Sequence, residues 1–409
     1  MAVGENTFPL MHPVAGFRLG VASAGIKKAG RKDLVVMEIT AGASIAAAFT
    51  KNAFCAAPVQ IAKTNLAENT CCSSLRYLVT NTGNANAGTG EQGHKNALQV
   101  CQALADLQAV DRSAVLPFST GVIGEPLPVE KIITALPSAI QNLTERGWDA
   151  AATAILTTDT RPKGASSQLV LAGKTVTITG VSKGSGMIKP NMATMLAYVA
   201  TDLHISQELL QQWITELVDV SFNRITVDGD TSTNDSAVLV ATGCSGVDFA
   251  ELGGSEQQLY REALQSLFID LAQQIIKDGE GASKFVSVVV DGGVSVDECL
   301  AVAYTIAESP LVKTALFASD PNWGRILAAV GRAGVADLDV NAVQLYLDDV
   351  LIADQGGRAA SYTEQQGQAV MNRDEITIRV LLNRGQVCET VWTTDFSHDY
   401  VTINAEYRT

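Results

Sequence analysis

The alternation of strand-like and helix-like segments along the whole chain constrains its fold more than any other sequence feature. Between the strand-like runs, apolar residues recur at spacings of three and four, which is typical of amphipathic helices. Because the two patterns alternate in both halves, the sequence predicts a layered α/β architecture, not a helical bundle or a simple β-sandwich. Short runs rich in β-branched residues predict strands at 34–40, 168–171, 175–179, 236–241 and 285–290.

Two helical patterns are clear enough to predict a buried face. One helix is expected to begin at Ser255, where Gln258 completes the spacing of a capping box, and to end at Gly279. Its predicted buried residues are Leu259, Ala263, Leu264, Leu267, Phe268 and Leu271. The other helix presents Ala97, Val100, Cys101, Leu104 and Leu107. No repeat or long linker interrupts the chain, so we expect its two halves to pack together without a flexible tether.

Composition narrows the classes of function. The 409 residues, 47% apolar and 18% charged, predict a globular chain of two or three domains. With 29 basic and 43 acidic residues the net charge is −14, which argues against a nucleic-acid partner. No secretory signal and no membrane-spanning run is recognised. Seven scattered cysteines predict reduced thiols and a cytoplasmic location, and four dispersed histidines predict no metal site.

A glycine-containing segment near the middle of the chain, Lys183-Gly-Ser-Gly-Met-Ile-Lys-Pro-Asn-Met-Ala-Thr-Met-Leu, leads to the pair Ala193-Thr194. A threonine hydroxyl becomes a good nucleophile when it begins a chain and its own α-amine acts as the base. That chemistry requires a cut between Ala193 and Thr194. From the residues alone, an ordinary threonine in a buried strand explains the pattern equally well. Lys183 suits a substrate carboxylate or carbonyl, although a solvated loop lysine is commoner.

Two glycine-rich turns have alternative interpretations. In residues 119–124, the Gly121 N–H and the Thr120 hydroxyl or amide could form an oxyanion hole, but the segment alone favours a helix-capping turn. Residues 88–93 match G-x-G-x-x-G, yet residues 81–87 separate them from the preceding strand. We therefore expect the second turn to shape a pocket and not to bind a dinucleotide.

Two polar segments lie where predicted elements end. Glu280 falls between a helix and the strand that begins at Phe285, where a site residue and a capping carboxylate are equally expected. Residues 226–235 are dense in aspartate and hydroxyls but lack the twelfth-position glutamate of an EF-hand. The second segment is predicted to be an ordered hydrogen-bonding loop without a metal.

The segment around Thr194 resembles the self-cleavage segment of the ornithine acetyltransferase family, also called glutamate N-acetyltransferases, of arginine biosynthesis. The resemblance extends over essentially the whole chain in the same order. It includes Asn81-Thr-Gly-Asn-Ala-Asn86, Ser119-Thr-Gly-Val-Ile-Gly124, Thr226-Val-Asp-Gly-Asp-Thr231, Gly279-Glu-Gly-Ala282 and Asp320-Pro-Asn-Trp-Gly-Arg325. Ser283 stands where the family more often has threonine, and both residues carry a hydroxyl.

The resemblance implies mixed sheets sandwiched by helices, similar to N-terminal-nucleophile aminopeptidases, and a chain cut into an alpha chain of residues 1–193 and a beta chain of residues 194–409. Thr194 matches the family's nucleophile, exposed when the precursor cuts itself after Ala193. Thr120 and Gly121 match its oxyanion hole. The positions that match substrate contacts are Thr157, Lys183, Thr194, Glu280, Asn404 and Thr409. The last two imply that the carboxyl-terminal tail completes the site.

The implied reaction is a ping-pong acetyl transfer from N-acetylornithine to glutamate by way of Thr194, without a metal or redox cofactor. Some family members also accept acetyl-CoA as the donor. A heterotetramer of two alpha and two beta chains is expected. An N-terminal-nucleophile peptidase or amidase, in which water is the acceptor, is the enzymatic alternative. A binding protein that merely retains the fold is the non-catalytic one.

Overall fold

Two β-sheets lie face to face in the computed structural model, which describes residues 2–5, 7–69, 74–189 and 195–406. Both sheets mix parallel and antiparallel neighbours. Sheet I contains, in spatial order, β1 (Phe17–Ala22), β2 (Leu34–Ile39), β4 (Tyr77–Asn84) and β5 (Val115–Val122). Sheet II contains β3 (Ser44–Phe49), β10 (Ser236–Ala241), β8 (Leu196–Thr201), β7 (Lys174–Lys183) and β6 (Lys163–Leu171).

Strands β2, β8 and β10 are almost completely buried, which places apolar residues on both of their faces. On β2, Val35 and Met37 pack into the core between the sheets, while Leu34 and Val36 pack into the core on the opposite face of sheet I. Phe118 of sheet I meets Tyr198 of sheet II edge to face, with ring centroids 5.4 Å apart. Burial on both faces explains why β2, β8 and β10 are predominantly apolar runs.

Helices cover the outer faces of the sandwich. Of those listed next, α2 and α3 pack on sheet I, and α5 and α6 pack on sheet II. The arrangement is helix, sheet, sheet, helix, so the predicted layered α/β fold with mixed sheets between helices is confirmed. The helices are α1 (Ala57–Glu68), α2 (Gly90–Gln108), α3 (Val129–Gln141), α4 (Trp148–Ala154), α5 (Gln207–Val220) and α6 (Gly254–Lys277).

The carboxyl-terminal part forms sheet III with its own apolar core. Its strands, in spatial order, are β14 (Gly357–Arg358), β13 (Val350–Asp354), β12 (Gln344–Leu347), β15 (Glu375–Leu381), β11 (Phe285–Gly293), β16 (Val387–Thr394) and β9 (Ile225–Thr226). The remaining helices are α7 (Val296–Ala307), α8 (Pro310–Phe317), α9 (Trp323–Gly331), α10 (Glu364–Met371) and α11 (His398–Ala405).

Sheet II contains strands from both sides of residue 193, because β10 and β8 lie between β3 on one side and β7 and β6 on the other. β8 pairs along its whole length with the second half of β7, and β10 pairs with β3 along the whole length of both strands. The expectation that the two halves pack together is therefore confirmed. Two chains produced by a cut after Ala193 would still share this sheet.

All five predicted strands are present, but the details of two helices differ from the sequence predictions. α6 begins at Gly254, and its N-cap residue is Gly253, which has no side chain that could cap the helix. Ser255 therefore lies inside the helix, and the predicted capping box is wrong. Leu259 and Leu107 are 46% and 47% exposed, because the buried stripe of each helix is narrower than its apolar pattern. The other predicted residues of both helices are buried or partly buried.

Within the described ranges, no single helix is long and apolar enough to cross a membrane. The bent pair of α7 and α8, with 55° between its helices, passes that test by length and composition only.

Candidate active site

A cavity of about 260 Å³ opens where β5 and β7 end, and we call it the transfer cavity. It brings together residues that lie far apart in the chain. All six predicted site residues that the structure describes line it: Thr120, Gly121, Thr157, Lys183, Glu280 and Asn404. Ala193, Thr194 and Thr409 lie outside the described residues.

Lys183, at the end of β7, is the buried cation of this cavity. Its ammonium donates hydrogen bonds to the hydroxyls of Thr157, at 3.0 Å, and Thr120, at 3.2 Å. Burial lowers the pKa of Lys183, although the nearby carboxylate of Asp159 opposes that effect. Because the charge is buried beside hydroxyls, an anion entering the cavity would be strongly attracted to it.

Thr120 and Gly121 lie at a close contact between the ends of β4 and β5. Gly121 has a φ of 136°, and a Cβ atom placed on it would lie 2.3 Å from the carbonyl carbon of Gly83, so a side chain cannot fit. The next helix is capped by Pro128, so this segment is not the helix-capping turn that local sequence favoured. The amide of Asn234 binds the Ser119 carbonyl at 2.9 Å and holds the strand end in place.

Glu280 supplies the opposite charge. It follows α6 in the chain and is 6% exposed. One of its oxygens accepts from the Thr158 hydroxyl at 2.7 Å, and the other accepts from the Asn404 amide at 2.8 Å. A Cβ atom on Gly186 would lie 2.3 Å from the same carboxylate, so a side chain at this position would displace the Glu280 carboxylate from where it lies. With Lys183, the carboxylate gives the cavity one cation and one anion, a combination that suits an amino acid.

Behind the cavity lies a set of three fully buried charges, Asp159, Lys163 and Asp278, which we call the buried ion network. The Lys163 ammonium is 2.7 Å from Asp159 and 2.5 Å from Asp278, and all three side chains have 0% or 1% exposure. Burial acts to raise the pKa of Asp159, but the charges of Lys163 and Lys183 outweigh burial and hold that pKa well below its usual range.

The network fixes the residues that face the cavity. Asp159 accepts hydrogen bonds from the backbone N–H groups of Thr157, at 2.9 Å, and Gly184, at 2.8 Å. Asp278 lies two residues before Glu280 and accepts from the N–H of Thr160 at 3.1 Å. The only sequence signal for this network was the four-residue spacing of Asp159 and Lys163.

The acidic loop of residues 226–235 is held by hydrogen bonds, as predicted. Asp228 accepts from the N–H groups of Met187 and Ile188 at 2.6 and 2.9 Å. Asp235 accepts from the N–H of Met195 at 3.0 Å, and burial raises the pKa of this carboxyl well above its usual range. The two aspartates thus anchor the described chain on both sides of residues 190–194.

The other glycine run does not contribute to the cavity. Residues 88–93 lead into α2, and none of them lines the transfer cavity, so the expected pocket-shaping role stays a prediction. A Cβ atom on Gly93 would lie 1.8 Å from the Thr89 hydroxyl, and this local contact accounts for that glycine. Over the described ranges, no group of three or more His, Cys, Asp or Glu side chains is placed to hold a metal ion.

A family model described as the ArgJ family matches residues 18–409. The chain is 59% identical over 412 residues to the arginine biosynthesis bifunctional protein ArgJ of Pseudomonas fluorescens, and the match covers 100% of both chains. The crystal structure of the protein of that name from Bacillus halodurans has 36% identity and a TM-score of 0.47, covering 50% of this chain and 95% of that one. Ornithine acetyltransferase complexed with ornithine from Mycobacterium tuberculosis has 30% identity and a TM-score of 0.37, covering 44% and 92%.

The sandwich fold and its charged cavity are those of an α/β enzyme. The chain belongs to the ArgJ family, because the family model matches nearly its whole length and the Pseudomonas relative aligns over all of it. The family membership that the sequence motifs predicted is confirmed.

Proposed function

We propose that this protein is an acetyltransferase of arginine biosynthesis that moves the acetyl group of N2-acetylornithine to glutamate through an acetyl-enzyme on Thr194. The observation that carries the proposal is the pairing of Lys183 and Glu280 in one cavity beside the Thr120–Gly121 strand end. Membership of a family whose relatives are named for arginine biosynthesis supports it.

The proposed first event is a cut between Ala193 and Thr194, which gives the alpha chain of residues 1–193 and the beta chain of residues 194–409. The described chain resumes at Met195, and Leu196 is the register partner of Lys183 across β7 and β8. This pairing supports a nucleophile at residue 194, because it brings the start of the proposed beta chain beside the cavity lysine. The cut releases an α-amine whose unperturbed pKa of ~7.7–8.0 suits a general base.

In the first half-reaction, the α-amine accepts the proton of the Thr194 hydroxyl as the oxygen attacks the acetyl carbonyl. The N–H of Gly121 and the hydroxyl or amide of Thr120 stabilise the negative oxygen that forms, with the Lys183 ammonium 3.2 Å from the Thr120 hydroxyl. The C–N bond of N-acetylornithine then breaks. The leaving amine takes up the proton from the α-amine of Thr194, and ornithine leaves. In the second half-reaction the glutamate amine attacks the ester and forms a C–N bond, the C–O bond to Thr194 breaks, and the α-amine passes the proton of the attacking amine to the Thr194 oxygen.

The substrates of the two half-reactions fit one set of contacts. Both N-acetylated amino acids carry an α-carboxylate, for which Lys183 and the Thr157 hydroxyl are the proposed partners. Glu280, oriented by Thr158 and Asn404, is the proposed partner of an ammonium group. Thr409 is proposed to complete the contacts from the carboxyl terminus. We propose acetyl-CoA as a second donor of the acetyl group.

The assay that tests this function combines the protein with N-acetylornithine and glutamate and measures N-acetylglutamate, ornithine and acetate. We expect one N-acetylglutamate for each ornithine, and no turnover or self-cleavage in Thr194→Ala. Release of acetate without N-acetylglutamate would identify an amidase instead. A single uncut chain without turnover would indicate a binding protein. The proposed location is the cytoplasm, and the proposed assembly, a heterotetramer of two alpha and two beta chains, is tested by native mass spectrometry.

A further inference from the structure

The acidic loop ends in segment 231–235, which lies between two groups that the proposed reaction must bring together. Three of its residues line the transfer cavity. The residues Asn234 and Asp235 are polar and almost completely buried, with 6% and 1% of their surface exposed. Neither side chain takes part in the proposed chemistry. Buried polar groups at the wall of a reaction cavity need an explanation, and their hydrogen bonds supply one.

The side-chain amide of Asn234 joins the two strand ends that carry the Thr120–Gly121 pair. Its NH2 group donates to the carbonyl of Ala85 at 2.7 Å and to the carbonyl of Ser119 at 2.9 Å. Ala85 directly follows β4, and Ser119 directly precedes Thr120 on β5. The amide oxygen accepts from the hydroxyl of Thr233 at 2.6 Å, which fixes the orientation of the amide. One side chain thus sets the spacing of both strand ends at the proposed oxyanion hole.

The next residue, Asp235, holds the opposite side of the proposed reaction. Its carboxylate accepts from the N–H of Met195 at 3.0 Å, and the N–H of Ser236 donates to the carbonyl of Met195 at 3.1 Å. Both backbone polar groups of Met195 are therefore fixed. Because consecutive Cα atoms are about 3.8 Å apart, the position of Met195 limits where the proposed nucleophile Thr194 can lie.

Segment 231–235 is in turn held against the first half of the chain. The N–H of Thr50 donates to the carbonyl of Asp235 at 3.0 Å, and the N–H of Ala56 donates to the carbonyl of Thr233 at 2.9 Å. The donors belong to the proposed alpha chain and the acceptors to the proposed beta chain. These bonds therefore keep the segment in place in a protein that has been cut.

Adjacent residues thus control two distances that the proposed chemistry needs to match. A displacement of about 1 Å between reacting groups can cost about 100-fold in rate. We propose that Asn234 and Asp235 are positioning residues that align the proposed nucleophile with the Thr120–Gly121 oxyanion hole. This inference rests on the proposed acetyl transfer.

The proposed alignment role is separate from substrate binding. The proposed contacts of the substrate come from Thr157, Lys183 and Glu280. Within the part of the chain that the structure describes, neither Asn234 nor Asp235 hydrogen-bonds to any of these three residues. An interaction that matters only in the transition state affects kcat and kcat/KM equally. Loss of alignment is therefore expected to lower kcat and leave KM unchanged.

The first test compares Asn234→Ala with Asn65→Ala. Asn65 is 8% exposed, and its amide donates to the carbonyl of Val115 at 2.8 Å, at the opposite end of β5. Both variants remove a buried amide that holds this strand, so both should lower the urea midpoint. Only Asn234→Ala should lower kcat with N-acetylornithine and glutamate, by about 10- to 100-fold with KM unchanged. Intact mass spectrometry counts the acetylated Thr194 fragments, and kcat is calculated per competent fragment.

The second test uses a conservative variant of the neighbouring residue. Asp235→Asn keeps an oxygen that can accept from the N–H of Met195, whereas Asp235→Ala does not. We expect Asp235→Asn to retain a kcat close to that of the parent protein and Asp235→Ala to lose kcat as Asn234→Ala does. Equal losses in Asp235→Asn and Asp235→Ala would assign the effect to the charge or the proton of the carboxyl group and would overturn the positioning role.

The rate at which the two fragments form is measured for every variant, so a variant that cuts itself slowly also reports on the alignment. Slower cutting in Asn234→Ala than in Asn65→Ala supports the inference. Equal kcat and equal cutting rates in these two variants overturn it, because the amide of Asn234 would then serve only the fold. A rise in KM at unchanged kcat also overturns it. A parent protein that cuts itself but makes no N-acetylglutamate refutes the proposed function, and the cutting rates then decide the alignment role separately.

Discussion

Lys163 and Lys183 lie on neighbouring strands and are both buried, but their surroundings differ. Lys163 has two carboxylates within 2.7 Å, whereas Lys183 has two hydroxyls and one carboxylate at 4.0 Å. A buried charge is costly unless it is paired and hydrogen-bonded. The charge of Lys163 is compensated within the protein, while that of Lys183 is compensated less closely and faces a cavity. The difference separates a residue that holds the site together from one that is available to a substrate.

The largest expected effect follows from removing the compensated lysine. Lys163→Met leaves Asp159 and Asp278 buried without their cation, so we expect the free energy of unfolding to fall by about 3–5 kcal/mol. Urea denaturation followed by circular dichroism measures the change. Lys174→Met, at the exposed start of β7, is the matched control and should cost little. A change below about 1 kcal/mol for Lys163→Met would contradict a structural role for the network.

Removing the lysine that faces the cavity should lower the activity and leave the stability almost unchanged. Lys183→Met is expected to lower kcat/KM with N-acetylornithine by about 100-fold or more, because it removes the cation beside the Thr120–Gly121 pair. The urea midpoint should stay close to that of the parent protein, since Lys163 still compensates Asp159. If Lys183→Met lost as much stability as Lys163→Met, the distinction between the two lysines would fail.

Asp159 links the two regions, so its variant should show an intermediate effect. Asp159→Asn is expected to lose about 2 kcal/mol of stability at neutral pH, because the charged partner of Lys163 is replaced by a neutral one. The folded pKa of Asp159 lies below its unfolded value, so its contribution is present above pH ~4 and is lost as the pH falls toward the folded pKa. Urea midpoints measured from pH 7 to pH 2 should therefore converge for parent and variant. Parallel curves would argue against a depressed pKa.

The smallest expected effect concerns the pH dependence of substrate binding. Because burial lowers the pKa of Lys183, its charge is lost as the pH rises through a value below the usual ~10.4. We expect KM for N-acetylornithine to rise in that alkaline range. In Lys183→Arg, whose guanidinium stays charged, the rise should be absent even if kcat is reduced. A rise of the same shape in both proteins would assign it to another group.

The layered fold was predictable because its signal is local. The run at 236–241 is continuous, apolar and β-branched, and it became β10 with the same bounds. The start of α6 was not predictable in this way, because Ser255 has the right spacing for a capping box but Gly253 precedes the helix. The spacing of residues alone does not determine which of them begins the first turn of the helix.

The site was predictable only through resemblance. Thr120, Lys183 and Glu280 are separated by more than 60 residues each, and no local pattern joins them. Lys163 and Asp278 form an ion pair across 115 positions. Such groups acquire their roles from burial and from partners that tertiary folding supplies. Ala193, Thr194 and Thr409 remain predictions.

The most direct test of the account asks where the acetyl group resides between the half-reactions. The protein is mixed with N-acetylornithine without an acceptor and its fragments are weighed by intact mass spectrometry, before and after glutamate is added. We predict two fragments, of which the one beginning at Thr194 gains the mass of one acetyl group and loses it to glutamate as N-acetylglutamate. An uncut chain, or acetylation that glutamate does not remove, would contradict the account.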